Sequence, residues 1–193
     1  YHKRHLVPFG EFVPFQKYLT FLGPVVGDLG SFDSGDSYGR FQVRGFSYTP
    51  MICYEVIFPG DVYRAFQTGA DALVNISNDA WYGRTASPYQ HAMMAVVRAA
   101  EEHKPLFRAA NTGICLATDP FGRILCSSRL YEETWLPADV LLDKSSLKTP
   151  YSRWGNWLPR LCWVVVALLA LVSCFKREPL RPPQVPEVRN HAP

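Results

Sequence analysis

The sequence predicts an α/β domain, in which helices cover a sheet, followed by one transmembrane helix. Over the first 150 residues, apolar strand-like segments alternate with helix-like segments, a pattern typical of layered α/β domains. A mainly apolar run then extends from Trp157 to Phe175, and a membrane span needs about 20 such residues. A chain of 193 residues is long enough for one domain with a core and such an appended segment.

The first half of the domain predicts two strands, a helix and a third strand. Residues 1–36 contain many Pro and Gly and are expected to form a structured loop. Strands are predicted over residues 40–43 and 46–53. A proline then fits the first turn of a helix over residues 59–70. The continuous apolar run ADALVNIS, residues 70–77, indicates a buried strand.

The second half predicts a longer helix and a hairpin. Residues 87–104 contain a proline near their start, and apolar residues such as Met94 and Val97 recur at a spacing of three to four. Segments 107–119 and 122–128 predict two strands joined around the turn sequence DPFG. Together these elements define a domain over residues 1–150.

The apolar run of residues 157–175 carries one charged side chain, that of Arg160. Aromatic residues cluster at its near end, as expected of an aromatic belt at a membrane surface: Trp154, Trp157 and Trp163. We interpret the run as a transmembrane helix preceded by a juxtamembrane linker, residues 151–156. A buried core helix is the alternative that the sequence leaves open.

Residues 176–193 follow the predicted span and begin with Lys176 and Arg177. They are rich in Pro and Arg and have too few large apolar residues to build a core, so we expect a disordered tail. Basic residues just past a span favour a cytoplasmic location for the segment that contains them, which here is the tail. Residues 1–150 would then lie outside the cytoplasm.

Composition excludes some classes of partner and site. The net charge of +3 is small and the basic residues form no long stripe, so we expect no nucleic-acid partner. The five cysteines show none of the CxxC pairs or short Cys/His spacings of structural zinc sites. We therefore expect neither a metal nor another cofactor.

Cys53 lies at the end of the second predicted strand, just before a helix. A nucleophile at such a turn projects from the sheet edge, but a buried structural thiol is equally compatible with this position. Lys3 could stabilise negative charge on a substrate oxygen, with Glu11 close by in the sequence, although both are also typical exposed residues. Spacing alone does not decide between these interpretations.

Five segments occur in an order that resembles one known family: YHKRHLVPFGEFVP, ICYE, NISNDAWYG, YQHAMMAVVRAAE and ANTGI. They are similar to segments of the carbon–nitrogen hydrolase (nitrilase) superfamily. With the apolar run after the domain, the fuller match resembles its apolipoprotein N-acyltransferase family. The resemblance implies the C-terminal part of a nitrilase-like four-layer αββα sandwich, incomplete at its N-terminus and followed by one transmembrane helix.

The same resemblance implies roles for particular residues. Cys53 matches the nucleophile, and Lys3 matches the lysine that stabilises the oxyanion in a Glu-Lys-Cys triad. Glu11 and Glu55 match two supporting positions, and the N–H of Tyr54 is expected to help bind the oxyanion. The triad glutamate is expected upstream of the first residue, so the chain alone is expected to be inactive.

The function implied is N-acyl transfer in lipoprotein maturation, through a ping-pong mechanism with a thioester on Cys53. The expected partners are a membrane phospholipid as acyl donor, an apolipoprotein as acceptor, and the bacterial inner membrane. The full protein is expected to be multi-pass, with a periplasmic catalytic domain. Two alternatives remain open: a membrane-tethered amidase of the nitrilase type that uses water as acceptor, and a non-catalytic fragment lacking the triad glutamate.

The loop after the ADALVNIS strand supplies two candidate substrate-binding residues, Trp81 and Tyr82. They could form a wall of an acyl groove or dip toward lipid, and packing under the following helix is the equal alternative. We interpret His5 and His91 as structural. Arg98 and Glu101, one helical turn apart, are expected to form an ordinary ion pair.

Cys115 and Cys126 are the remaining cysteines of the domain, one in each predicted hairpin strand. In the simplest register around the DPFG turn they face each other. A disulfide would then be possible in an oxidising compartment, whereas a slip of one residue would separate them.

Overall fold

The structure is a computed structural model that describes residues 1–14, 32–142 and 147–175. The chain divides into two compact units, Tyr1–Gly155 and Asn156–Pro193. The predicted tail, residues 176–193, lies outside the described residues, as does the middle of the predicted opening loop.

The first unit is built on a mixed six-stranded sheet whose strands follow one another in chain order. The three central strands, β2 to β4, are parallel, and the remaining pairs are antiparallel. The strands are β1 (Phe41–Val43), β2 (Phe46–Ile52), β3 (Ala72–Ser77), β4 (Leu106–Ala110), β5 (Leu116–Thr118) and β6 (Ile124–Ser127). Their order places the ends of β2 and β3 side by side, which is where the candidate site forms.

Helices form the crossovers between the parallel strands. Among its described residues, the unit contains α1 (Pro59–Phe66), α2 (Ser87–Glu102), α3 (Pro150–Trp154) and two 3₁₀ helices, Cys53–Ile57 and Ala80–Tyr82. Proline stands in the first turn of α1 and α2, where its missing N–H costs nothing. Helix α2 ends two residues before the predicted boundary because His103 adopts a left-handed conformation.

The core lies between the sheet and helices α1 and α2, which pack side by side. Its largest fully buried apolar side chains include Met51, Leu73 and Leu106. The described residues thus form one helical layer on one sheet, which is half of the predicted four-layer arrangement. The other two layers are not among the described residues.

The buried face of α2 differs from the pattern that suggested the helix. Met94 and Val97 are each nearly half exposed, at 44% and 45%. The residues that face the core are smaller: Ala92, Ala95, Val96 and Ala99. Small side chains allow the helix to approach the sheet closely, which a face of methionines would not.

The predicted strand over residues 107–119 is two strands, β4 and β5, which pair antiparallel with each other. The side chain of Asn111, the first residue after β4, accepts hydrogen bonds from the N–H groups of Asp79 and Thr112. Asparagine side chains that bind backbone N–H groups compete with continued strand. The expected hairpin therefore involves only β5 and β6.

The register of this hairpin decides between the two arrangements that the sequence left open for Cys115 and Cys126. Cys126 lies opposite Ala117, and Cys115 exchanges hydrogen bonds with Ser128. An irregularity between Ala117 and Thr118 shifts the strands relative to the simplest register. Both cysteines are free thiols.

The second unit is described from residue 156 to 175 and consists of helix α4 (Trp157–Phe175). Within the described ranges, α4 is the one helix that is long and apolar enough to cross a membrane, with a mean hydropathy of 2.2. None of its side chains is buried, unlike those of a core helix in a soluble domain. Its bounds coincide with the apolar run identified in the sequence.

Candidate active site

Cys53 follows the last residue of β2 and begins a 3₁₀ helix, so it lies at a strand-to-helix turn. Its φ of +52° is in the left-handed region, where a side chain costs roughly 1–2 kcal/mol. The thiol is half-buried, and its Sγ lies 3.9 Å from the carbonyl oxygen of Asn78 at the end of β3. Strain of this kind is often stored at functional sites.

Lys3 and Glu11 form an ion pair beside this turn. The Lys3 ammonium lies 2.6 Å and 2.7 Å from the two carboxylate oxygens of Glu11. Glu11 also accepts a hydrogen bond of 2.9 Å from the N–H of Val7, which closes the loop between the two charged residues. The lysine is therefore held in a fixed position rather than left free in solvent.

Glu55 is the most buried of the predicted site residues, with 2% of its surface exposed. One carboxylate oxygen accepts hydrogen bonds from the Tyr1 hydroxyl at 2.9 Å and the Arg4 and His5 N–H groups at 2.6 and 3.3 Å. The other accepts from the Ile52 N–H at 2.6 Å. Burial, followed by the charge of Glu55, raises the pKa of Tyr1 well above its usual range. Glu55 thus fastens the N-terminal segment to the Cys53 turn.

A cavity of about 380 Å³ opens at Cys53. Its lining is mainly apolar or aromatic, with one carboxylate and one thiol: Val7, Pro8, Gly10, Glu11, Cys53, Tyr54, Asn78, Trp81 and Tyr82. Five predicted site residues therefore meet at one cavity. Lys3 does not line the cavity but is paired with Glu11, which does, whereas Glu55 is buried and holds the Cys53 turn.

Trp81 and Tyr82 share the 3₁₀ helix after β3 but have different surroundings. Trp81 is 74% exposed, while the Tyr82 ring packs edge-on against His91 of α2 at 5.7 Å. Burial, which is the largest cause, raises the pKa of Tyr82. Both residues line the cavity, and Tyr82 also packs against the following helix.

A buried polar network behind the cavity was not predicted from the sequence. His91 contacts both the carboxylate of Asp79, at 3.0 Å, and the carbonyl oxygen of Cys53, at 3.2 Å. Arg108 of β4 donates to the other Asp79 oxygen at 2.7 Å and also to Asn75. Burial would raise the pKa of Asp79, but hydrogen bonds from His91 and Ser77 and the charge of Arg108 outweigh it and lower that pKa.

Two features of the sequence could have indicated this buried network. Charged residues inside buried strands are rare unless they are paired, and Arg108 lies within a predicted strand. The ANTGI segment also supplies Gly113, and a β-carbon at that position would collide with the Asp79 carboxylate.

The ion pair expected on helix α2 is confirmed, since Arg98 donates to Glu101 at 2.8 Å.

This arrangement is suited to acyl transfer. A thiol at a strained turn faces an apolar cavity, and a lysine ammonium held by a carboxylate lies beside it. A thiolate is an effective acyl acceptor, and a fixed cation can stabilise the oxyanion that forms.

The family of the chain follows from its sequence as a whole. The model of the carbon-nitrogen hydrolase family matches residues 1–146, which is most of the chain and all of the cavity. The chain belongs to the carbon-nitrogen hydrolase family.

Particular relatives narrow the comparison. The chain is 48% identical over 182 residues to the apolipoprotein N-acyltransferase of Brucella melitensis, covering 89% of the chain and 32% of the relative. It is 40% identical over 170 residues to that of Vibrio vulnificus, covering 87% and 33%. The chain therefore spans about a third of the length of the curated relatives it matches.

A solved structure supports the fold. The glutamine-dependent NAD+ synthetase of Acinetobacter baumannii is similar over 69% of this chain and 24% of its own, with a TM-score of 0.53 and 15% identity. The first unit thus has a nitrilase-like α/β fold with a mixed sheet.

Proposed function

We propose that the protein is an apolipoprotein N-acyltransferase of the bacterial inner membrane. It transfers a fatty acyl chain from a membrane phospholipid to the α-amine of the N-terminal diacylglyceryl-cysteine of apolipoproteins. The observation that carries this proposal is the thiol of Cys53, held at a strained turn and facing a cavity with mainly apolar walls. The similarity to bacterial apolipoprotein N-acyltransferases and the apolar helix α4 support it.

In the first step, a glutamate outside residues 1–193 takes the proton from Cys53. The Cys53 thiolate then attacks the ester carbonyl of the phospholipid and forms a C–S bond. The ammonium of Lys3 and the N–H of Tyr54 stabilise the tetrahedral oxyanion. The C–O bond to the glycerol breaks, the proton passes to the leaving alkoxide, and a lysophospholipid departs from the thioester.

In the second step, the α-amine of the lipoprotein attacks the thioester carbonyl. An amide C–N bond forms, the C–S bond breaks, and the amine proton returns through the same base to Cys53. Glu11 supports both steps by holding Lys3, and Glu55 supports them by fixing the turn. An apolar cavity that excludes water favours the amine over hydrolysis of the thioester.

The proposed location follows from the lipid substrates. A catalytic domain on the periplasmic side, joined to α4 and to further spans outside these residues, would meet phospholipid and lipoprotein at the bilayer. The exposed Trp81 at the cavity would contact the acyl chain or the lipid surface. Residues 1–193 alone would be inactive because they would lack the general base.

The acceptor is tested with the complete protein in proteoliposomes that contain acyl-labelled phospholipid. We expect the label to appear on a diacylated lipopeptide with a free α-amine, and not on the matched lipopeptide whose α-amine is acetylated. Release of free fatty acid with either peptide would instead indicate a membrane-tethered amidase or hydrolase. Absence of any labelled product would indicate a non-catalytic protein.

A further inference from the structure

His91 presents a fixed hydrogen-bond donor to the backbone of Cys53. Its Nε2 lies 3.2 Å from the Cys53 carbonyl oxygen. Because a carbonyl only accepts, this contact is a hydrogen bond when Nε2 carries a hydrogen, and with Nδ1 donating to the Asp79 carboxylate the ring then has a hydrogen on both nitrogens. The other ring nitrogen lies 3.0 Å from Asp79, whose second oxygen is bound by Arg108 at 2.7 Å. The side chains of Asp79 and Arg108 are completely buried. The imidazole therefore has a defined orientation.

The carbonyl that His91 binds belongs to the same peptide unit as the Tyr54 N–H. In a planar trans peptide, the C=O and the N–H point in opposite directions. A donor that fixes the Cys53 carbonyl on the His91 side thus also fixes the direction of the Tyr54 N–H. Cys53 and Tyr54 both line the cavity, and a hydrogen bond to the carbonyl also polarises the peptide and strengthens its N–H as a donor.

We propose that His91 is a positioning residue for the oxyanion site. It orients the Cys53–Tyr54 peptide so that the Tyr54 N–H binds the developing oxyanion, and Asp79 and Arg108 hold His91 in place. The inference rests on the proposed acyl transfer, since it assigns His91 to the step in which the oxyanion forms. His91 itself does not contact the reacting atoms.

The turn has a second support that is independent of His91. On the other side of Cys53, the N–H of Ile52 is held by Glu55 at 2.6 Å. Loss of the His91 donor therefore removes the side-chain support of the Cys53–Tyr54 peptide while the 3₁₀ helix remains and the preceding residue stays anchored. This separates a role in orientation from a role in keeping the turn folded.

The experiment compares two reactions of Cys53 in the complete protein, each followed by mass spectrometry of the peptide that contains it. Acylation by p-nitrophenyl octanoate passes through a tetrahedral oxyanion, whereas alkylation by iodoacetamide does not. For His91→Leu we expect acylation to slow by about 10²-fold, as for the loss of one oxyanion donor, with alkylation unchanged. His91→Gln keeps an N–H donor and should recover part of the acylation rate.

His103→Asn is the matched control, because His103 lies just past the end of the same helix and packs against Phe121 away from the cavity. It should leave both reactions unchanged. Equal losses of acylation and alkylation in His91→Leu would overturn the inference in favour of a purely structural role, and so would unchanged acylation. Wild-type protein that is alkylated but never acylated would refute the proposed function itself, and the inference with it.

Discussion

Two glutamates near Cys53 have the same side chain and different surroundings. Glu11 lines the cavity and pairs with Lys3 at 2.6 Å, so its charge acts on the site directly. Glu55 is buried and accepts four hydrogen bonds, three of them from residues 1–5. Its contribution to the proposed chemistry is therefore indirect, through the position of the turn.

The sequence could predict the position of Cys53 but not the partners of Glu55. The Cys53 turn depends on neighbouring residues, namely an apolar strand before it and Pro59 shortly after it. The contacts of Glu55 with Tyr1 and Arg4 join residues more than 50 positions apart. Hydrogen-bond partners at that separation depend on the folded path of the chain, which local pattern does not specify.

Glu102, the last residue of α2, provides a pH-dependent prediction. Burial, followed by the charge of Glu101, raises its pKa to about 7, and Arg98 and Lys148 only partly oppose this. Because the folded state binds this proton more tightly than the unfolded state, stability is highest below the ordinary pKa and falls as pH rises toward 7. We expect Glu102→Gln to unfold at a higher temperature than wild type at pH 8 and to lose this part of the pH dependence.

The stability difference at pH 8 should be about 3 kcal/mol at most, from the size of the pKa change. Thermal unfolding measured at pH 5 and pH 8 tests it. Glu133→Gln is the control, because Glu133 is exposed. If the unfolding temperatures of wild type and Glu102→Gln change equally between pH 5 and pH 8, the Glu102 carboxyl does not titrate as described.

At the level of elements, the polar network joins four segments behind the cavity. His91 comes from α2, Arg108 from β4, Asn75 from β3, and Asp79 from the loop after β3. Parallel strands and their crossover helix bring these residues together although they are distant in sequence. The ends of the elements could be predicted from the sequence to within a few residues, but this meeting point could not.

One strand was mispredicted, and the buried face of one correctly predicted helix could not be identified from its sequence. The single strand expected over residues 107–119 breaks at Asn111, whose side chain accepts hydrogen bonds from the backbone N–H groups of Asp79 and Thr112. On α2, Met94 and Val97 gave the apolar periodicity, but alanines form the buried face. Alanine is compatible with both surface and core, so periodicity alone did not identify the face.

Gly113 leads to a prediction about the loop between β4 and β5. A β-carbon there would collide with the Asp79 carboxylate, whose two oxygens are already held by His91 and Arg108. We expect Gly113→Ala to destabilise the protein by about 1–3 kcal/mol, as for overpacking in a core, and to slow acylation of Cys53. Thermal unfolding and the acylation rate measure the two effects.

The control for this substitution is Gly60→Ala in α1. No atom lies within 4 Å of a β-carbon at Gly60, and alanine is the better helix former. Gly60→Ala should therefore be as stable as wild type or slightly more stable. If Gly113→Ala and Gly60→Ala unfold at the same temperature, the Asp79 side chain is not as tightly held as the structure indicates.

On the scale of the whole molecule, the described chain provides only part of the proposed acyltransferase. It supplies one helical layer, one sheet and an apolar helix, and it spans about a third of the length of its curated relatives. The proposed nucleophile and its oxyanion site lie within it, while the proposed general base and the second half of the sandwich would lie outside it. The account therefore has to be tested on the complete protein.

The most direct test is mass spectrometry of the complete protein after incubation with phospholipid alone in a membrane. We predict an acyl-chain mass on the peptide that contains Cys53, removable by hydroxylamine as expected of a thioester. The modification should persist in Cys115→Ala, since Cys115 is a half-buried thiol that does not line this cavity, and should be absent in Cys53→Ala. The account would be contradicted if Cys53 stayed unmodified in the complete wild-type protein. It would also be contradicted if the acylation persisted in Cys53→Ala.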